Sequence, residues 1–446
     1  MLHTKRLSFA IALAAVLAAS GTAGAQNVAD RFVPFSEFVQ SVRSASAAQY
    51  VGALQSRIAS AGDFEQMRQH IMSLYNGATV RHSFVLDANY FDCVPVLQQP
   101  GARALGLQQI PSPPPDIPGD AAALTNGAEF ATQFEPGQKD RFGNSVPCER
   151  GTVPMMRVTL ERMSKFRNLR EFLQKGPDGA GQIRPHDGAL RPAVATHKYA
   201  HAYQLVSNYG GTSVLTLWRP TINTAKGEIF SLSQHWYVAF PNNVTQTAET
   251  GWQNYPALWG SQNSALFIYW TADGYIVTGC YNLNCAGFVQ TNNSVILGGG
   301  FTHYSVVGQK IYQIVLSYWL HGGKWWLKFN NTWVGYYPAA QYAQGGLTTG
   351  LYRGAAEIDY GGETVGTTIW PPMGSGQWPT KGPLYAAEHL KIRFFTTKTG
   401  SAPAMHNATL TAQQPSPRCY KIIVHNNSAT ASKSYFLFGG HGGTGC

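Results

Sequence analysis

From Thr196 onward, the chain is a series of short β-branched or aromatic runs separated by glycine, asparagine and proline. The runs recur at steps of roughly a dozen residues, which is typical of an antiparallel sandwich or barrel. We therefore predict an all-β region from residue 196 to the end. The runs that carry this prediction are Tyr199–Tyr209, Thr212–Trp218, Ile229–Phe240, Ala265–Tyr269, Tyr275–Thr278, Ser294–Leu297, Gln309–Trp319 and Lys324–Phe329.

The first part of the chain follows a different pattern. Apolar residues recur at three- and four-residue steps from Asp30 to Tyr75 and again over residues 158–175, which predicts helices. Residues 100–143 are rich in proline and glycine and predict an extended linker. Residues 176–195 have few apolar side chains and several basic ones, so we expect this stretch to be exposed and open to proteolytic nicking.

The N-terminus has the three parts of a signal peptide. Lys5 and Arg6 precede an apolar run from Leu7 to Ala19, and small residues end at Ala25, where we predict cleavage. The apolar run is shorter than the roughly 20 residues that a membrane-spanning helix needs. We therefore expect an exported protein, periplasmic or extracellular, that has no membrane segment after cleavage.

Six cysteines in an exported chain permit three disulfides. Their spacing favours sequential pairing, although six cysteines allow 15 pairings. A zinc site is the alternative, but Cys280 and Cys285 have no cysteine or histidine nearby, so we expect neither a metal nor another cofactor. The pairs favoured by the spacing are Cys93 with Cys148, Cys280 with Cys285, and Cys419 with Cys446.

The net charge of +10 raises the question of nucleic-acid binding. Lysine and arginine are scattered rather than clustered, and no recognisable nucleic-acid module is present. We interpret the charge as a contribution to solubility and to attraction for anionic surfaces, and we expect no nucleic-acid partner.

Acidic residues are the remaining candidates for chemistry, because the chain has no Gly-x-Ser-x-Gly elbow, His-Glu-x-x-His motif or phosphate-binding Gly-x-x-x-x-Gly-Lys loop. Two carboxyls that face each other across a sheet can share one proton and act as base and acid. Spacing alone does not favour Glu249 with Glu363 over Glu228 with Glu357. The carboxylates after residue 200 are Glu228, Glu249, Asp273, Glu357, Asp359, Glu363 and Glu388.

Several separated motifs, in the same order, resemble the neprosin family of secreted glutamic peptidases. The longest is AETGWQNYPALWGSQNSALFIYWTADGYIVTGCYNLNCAGFVQ, which ends at Gln290. The others are His197-Lys198-Tyr199-Ala200, Ser231-Leu232-Ser233-Gln234-His235-Trp236, Gly323-Lys324-Trp325-Trp326-Leu327, Val334-Gly335-Tyr336-Tyr337-Pro338, Gly361-Gly362-Glu363, Met373-Gly374-Ser375-Gly376 and Phe438-Gly439-Gly440. Asp92-Cys93-Val94 and Cys148-Glu149-Arg150-Gly151-Thr152-Val153-Pro154 resemble the family's activation peptide.

The resemblance implies a two-sheet antiparallel β-sandwich that carries two catalytic glutamates, which match Glu249 and Glu363. It also implies a metal-independent endopeptidase that cleaves proteins or peptides at acid pH, in plants mostly after proline. The Cys280–Cys285 interval matches a family disulfide. The implied organisation is a signal peptide at 1–25, an inhibitory and partly helical propeptide at 26–190, and a peptidase domain at 191–446. Asp359-Tyr360 departs from the plant motif, so cleavage specificity is less firmly implied than the glutamate pair.

Aromatic residues are candidates for the walls of a substrate groove, because proline rings pack well on aromatic faces. Two other functions fit a curved sheet with carboxylates and aromatics: a carbohydrate-active enzyme and a non-catalytic binding module. The candidate groove residues are Trp252, Tyr255, Trp270, Tyr275, Trp325 and Trp326.

Overall fold

The computed structural model describes residues 31–118, 127–176, 196–427 and 433–446. Residues 33–446 form one compact unit. The predicted signal peptide and nearly all of the predicted nicking stretch lie outside the described residues.

The N-terminal region, residues 33–176, combines helices with a small sheet. Ser60 caps the second helix by accepting a hydrogen bond from the backbone N–H of Asp63 at 3.1 Å. Strands β1, β2 and β4 pair in an antiparallel sheet that the helical periodicity did not indicate. The elements are α1 (Phe35–Ser44), α2 (Ala61–Leu74), β1 (Ser83–Leu86), β2 (Asn89–Pro95), α3 (Pro100–Ala104), β3 (Glu129–Phe130), β4 (Thr152–Met156), α4 (Leu160–Met163) and α5 (Leu169–Leu173).

A six-stranded antiparallel sheet follows in the β-rich region. Its strand order is β18-β5-β14-β7-β8-β9, so β14 and β7 lie at its centre. The α6 helix (Pro256–Trp259) lies between β8 and β9 in the chain. The strands of this sheet are β5 (Thr196–Asn208), β7 (Glu228–Ala239), β8 (Gln246–Asn254), β9 (Ala265–Thr271), β14 (Ala355–Gly366) and β18 (Thr411–Gln413).

A ten-stranded sheet forms the second layer. Its main order is β10-β13-β12-β11-β6-β16-β20-β19, with β17 paired to β16 and β3 of the N-terminal region paired to β11. A separate two-stranded sheet joins β15 (Ile369–Trp370) to β21 (Gly443–Thr444). The remaining strands are β6 (Gly210–Thr216), β10 (Val289–Gln290), β11 (Tyr312–His321), β12 (Lys324–Phe329), β13 (Thr332–Pro338), β16 (Ala387–Phe395), β17 (Met405–Asn407), β19 (Lys421–His425) and β20 (Tyr435–Gly439).

The two sheets pack face to face around one core. Tyr237 of the six-stranded sheet meets Tyr318 of the ten-stranded sheet edge to face, with ring centroids 5.7 Å apart. The Ser213 hydroxyl of one sheet lies 2.7 Å from Nε2 of His235 in the other. The prediction of a two-sheet antiparallel β-sandwich preceded by a partly helical region is therefore confirmed.

Three disulfides cross-link the chain, and each joins two cysteines of the same region. Cys93–Cys148 lies in the N-terminal region, whereas Cys280–Cys285 and Cys419–Cys446 lie in the sandwich. None of the helices in the described ranges combines the length and apolar character needed to cross a membrane.

Candidate active site

Glu249 lies in β8 on the face of the six-stranded sheet that points away from the ten-stranded sheet. Its side chain is fully buried. The Thr247 hydroxyl donates to Oε1 at 2.7 Å, and the Tyr275 hydroxyl donates to the same oxygen at 2.8 Å. Two donors on one oxygen fix the orientation of the carboxylate.

Tyr275 reaches Glu249 from a short loop after β9. Its backbone is left-handed, with φ of 65°, a conformation that costs free energy outside glycine. The loop is held by Asp273, whose carboxylate accepts backbone N–H groups from Ile276, Val277 and Thr278 at 2.8–3.1 Å. The loop is therefore built to present the Tyr275 hydroxyl to the carboxylate.

Glu363 lies in β14 and is also buried. Nδ1 of His197 lies 2.5 Å from Oε1, and the Gln234 side-chain amide donates to Oε2 at 3.1 Å. The Tyr199 hydroxyl is hydrogen-bonded to the same carboxylate. Glu363 thus has donors from both strands that flank β14.

Lys175, just after helix α5, joins the two glutamates. Its Nζ atom lies 2.5 Å from Oε2 of Glu249 and 2.9 Å from Oε2 of Glu363. The ammonium also sits 5.2 Å from the centre of the Trp236 ring, within the range of a cation–π contact. Because one nitrogen contacts both carboxylates, the distance between the two Oε2 atoms cannot exceed the sum of these two distances.

The charges at this site explain one large pKa shift. Burial would raise the pKa of Glu363, but the Lys175 ammonium and the hydrogen bond from His197 lower it to about 2. Burial, followed by the nearby glutamate charges, raises the pKa of Tyr199 and of Tyr275 well above the ordinary value. Both phenols therefore remain protonated and act as donors.

A second buried pair lies on the same face, farther along β14. Nδ1 of His201 lies 2.8 and 2.9 Å from the two oxygens of Asp359. Within the described ranges, Nε2 of His201 has no hydrogen-bond partner. Gly361, opposite His201, separates the pair from Glu363, and a Cβ there would lie 2.5 Å from the His201 Cα. The backbone of β5 therefore leaves no room for a side chain at this position.

The alternative carboxylate pair does not come together. Glu228 pairs in register with Gly366 and Glu357 pairs with Val238, so the two acids lie at opposite ends of the β7–β14 ladder. By contrast, Glu249 and Glu363 meet across β7 at a single cation.

Residues 227–441 match the family model described as Neprosin. This segment contains both glutamates and most of the two sheets.

Residues 227–441 are a Neprosin domain.

The family prediction is thus confirmed for this part of the chain. Two crystal structures of scytalido-glutamic peptidase also show similarity to the chain. The one with a peptide-based transition-state analog has 8% sequence identity and a TM-score of 0.27, and covers 55% of this chain and 99% of that one. The one with a transition-state analog inhibitor has 10% identity, the same TM-score and the same coverage.

The structure places the candidate groove aromatics of the Neprosin domain in different surroundings. Of the six, Tyr275 contacts a glutamate directly. Tyr255 packs against Phe166 of the N-terminal region and against Phe230. Trp252, Trp270 and Trp325 lie in the core between the sheets, and Trp326 lies on the outer face of the ten-stranded sheet.

Other residues at the site were not singled out from the sequence. His197 and Gln234 lie within the quoted family motifs, so the motifs themselves were a signal for them. Lys175 lies outside the Neprosin domain, in a helical segment that ends before glycine and proline. Its sequence signal is its position immediately before the predicted nicking stretch of residues 176–195.

Proposed function

We propose that this protein is a secreted glutamic endopeptidase, made as a latent precursor, in which Glu249 and Glu363 are the catalytic pair. The observation that supports this most directly is the convergence of two buried carboxylates on one ammonium inside a Neprosin domain. A position that holds a cation between two carboxylates can hold a water molecule and a peptide carbonyl once the cation leaves. Peptides and proteins are then the substrates, as the family implies.

The chemistry needs one proton on the pair. An ionised carboxylate removes a proton from water as the water oxygen attacks the scissile carbonyl carbon. The other carboxyl group, protonated, donates to the carbonyl oxygen, and the proton taken from water then passes to the leaving amine as the C–N bond breaks. Activity should follow a bell-shaped acidic profile whose limits belong to the pair rather than to either residue.

Latency follows from the position of Lys175. Its ammonium occupies the space between the carboxylates that the attacking water would need. No disulfide connects the N-terminal region to the sandwich among the three that the chain forms, so after one backbone cleavage only non-covalent contacts would hold the two parts together. We place the signal peptide at 1–25, the propeptide at 26–190 and the peptidase domain at 191–446, with cleavage in the stretch that follows Lys175.

Aromatic side chains around the glutamates suit a proline-containing substrate. Tyr199 and Trp236 lie with ring centroids 6.4 Å apart on this face, and Trp236 already holds the Lys175 ammonium. Proline rings pack favourably on such faces. Three disulfides fit an oxidising compartment and therefore export.

Glu249→Gln and Glu363→Gln variants test the assignment, with Glu228→Gln as the matched control. Each purified chain is acidified and treated with an immobilised acid protease, which is filtered off, so that retained latency does not mask activity. Cleavage of a proline-rich protein is then followed by mass spectrometry. We expect the first two variants to lose about a thousandfold in kcat and the control to keep its activity.

Near-full activity in either dyad variant would overturn the assignment. A polysaccharide panel is assayed in parallel, and we expect the processed protein to release no reducing sugar. Release of sugar with loss of peptide cleavage would support the carbohydrate-active alternative instead.

A further inference from the structure

The ten-stranded sheet has an aromatic outer face, on the side away from the six-stranded sheet. Because side chains alternate along a strand, Trp325 points into the core while Trp326 points outward. Trp326 pairs in register with Trp319 on one side and Tyr336 on the other. We define the outer aromatic face as Trp319, Trp326, Trp333, Tyr336, Phe395 and Lys328.

The N-terminal region covers this face with two short pieces of chain. Ala102 and Leu107 pack against Trp326 and Tyr336. Farther along, Ile117 packs with Trp319 and Phe395, and Trp333 contacts the same cluster. The second piece belongs to the segment Ile110-Pro111-Ser112-Pro113-Pro114-Pro115-Asp116-Ile117, which forms no helix or strand.

Burial along that segment repeats every third residue. Pro111 is half-buried, Pro114 and Ile117 are buried, and the residues between them are exposed. A polyproline II helix has three residues per turn, so one residue in three faces a surface on which it lies. The segment therefore lies on the sheet in the manner of a proline-rich ligand on an aromatic groove.

Polar groups on the face complement such a ligand. Nζ of Lys328 lies 3.4 Å from the Asp116 carboxylate and 5.7 Å from the centre of the Trp333 ring. Nε1 of Trp333 is buried and has no hydrogen-bond partner within the described part of the chain. Residues 110–117 therefore leave this donor unpaired, and the contacts that hold them on the face are the Lys328–Asp116 ion pair and apolar packing.

We propose that the outer aromatic face is a second binding site, specific for proline-rich polypeptide in the polyproline II conformation. Residues 110–117 occupy it in the precursor. The proposal rests on the proposed function in one respect, namely that release of the N-terminal region frees the face. A proline-rich substrate held there is tethered to the enzyme, which raises its effective concentration at the glutamates on the other sheet.

Binding is tested without cleavage, using the full chain in which residues 110–117 are replaced by a Gly-Ser sequence. The probe is a fluorescein-labelled peptide with the sequence of residues 109–118, and a second peptide has alanine at the positions of Pro113, Pro114 and Pro115. We expect saturable binding of the first peptide by fluorescence anisotropy. The alanine peptide should bind at least about tenfold more weakly, as expected for loss of anchoring contacts.

Trp333→Ala in the same background should weaken binding about tenfold. Trp378→Ala, another partly buried tryptophan, is the matched control and should leave binding unchanged. No saturable binding, equal binding of the two peptides, or no effect of Trp333→Ala would each overturn the proposal. Glu249→Gln should not alter binding, so loss of the peptidase assignment and loss of this site are separate outcomes.

Discussion

The Nζ atom of Lys175 lies 2.9 Å from Oε2 of Glu363, and both side chains are buried. The ammonium has both carboxylates as counter-ions, and their attraction for it depends on their charge. Whatever removes charge from the glutamates therefore also loosens the segment that carries the lysine.

Lys175→Met should destabilise the precursor, because it leaves two buried carboxylates facing each other without their cation. Removing one partner of a buried ion pair costs about 3–5 kcal/mol. We expect a lower melting temperature at pH 7 by calorimetry and faster processing on acidification. Lys165→Met, at an exposed position in the same region, should change neither quantity. A Lys175→Met protein as stable as the parent would show that the ion pair does not hold the closed state.

Acid should open the precursor within a definite pH range. The pKa of Glu363 is lowered from its ordinary value of 4.5 to about 2 in the closed state, and it rises when the Lys175 ammonium, the largest of the causes that lower it, leaves. The stabilisation is therefore complete above about pH 4.5 and is lost as the pH falls toward 2, up to about 3 kcal/mol in total. Hydrogen exchange of the backbone amides of residues 169–175 at several pH values measures this loss of stabilisation. A free energy of opening that stays constant below pH 4.5 would contradict the linkage.

Tyr275→Phe removes one of the two donors on Oε1 of Glu249. If the hydroxyl holds this carboxylate in the position that the proposed reaction needs, the processed protein should lose about tenfold in kcat, with little change in KM. The control is Tyr342→Phe, which removes a buried hydroxyl bonded to the backbone carbonyl of Thr247 at 3.0 Å. Equal effects of both substitutions on kcat would indicate a packing role only.

The His201–Asp359 pair lends itself to a double-substitution test. Asp359→Leu leaves the buried imidazole without the acceptor of its Nδ1–H, at a cost of about 1–3 kcal/mol. Replacing both residues, with His201→Phe, should recover most of that loss, since two apolar side chains need no partner. Denaturant unfolding at pH 7 gives the free energies, and additive losses in the double variant would refute the coupling.

Two buried histidines between the sheets should limit stability in acid. Burial lowers the pKa of His235 to about 3, and burial together with the charge of His235 lowers that of His389. Below about pH 6.5 the unfolded chain binds protons that the folded chain excludes, so stability falls with pH by about 1.4 kcal/mol per unit for each histidine until the folded pKa is reached. His235→Asn should flatten the dependence of melting temperature on pH between 6.5 and 3. His303→Asn, at an exposed position, should leave it unchanged.

The sandwich could be predicted because its strands are encoded locally, by β-branched and aromatic runs between glycine, asparagine and proline residues. Strand geometry also shows why Trp325 and Trp326 cannot both line one groove: adjacent residues in a strand point to opposite faces. Treating them together as groove candidates overlooked that constraint.

The position of Lys175 could not be predicted, because it depends on how the N-terminal region packs on the sandwich rather than on any local pattern. The convergence of Glu249 and Glu363 could not be predicted from a local pattern either. The registers β8–β7 and β7–β14 place Glu249 level with Asp359, four residues from Glu363, so the two acids meet diagonally across this face. A diagonal contact of that kind depends on two strand registers together and has no signature at either glutamate.

The arrangement of the disulfides has a practical consequence. Since Cys93–Cys148 closes before residue 176 and the other two bridges close after residue 279, oxidative folding never requires a bond between the two regions. A break in the chain between the two regions would therefore leave every disulfide intact, and only non-covalent contacts, such as the Lys175 ion pairs and the β3–β11 pairing, would hold the regions together.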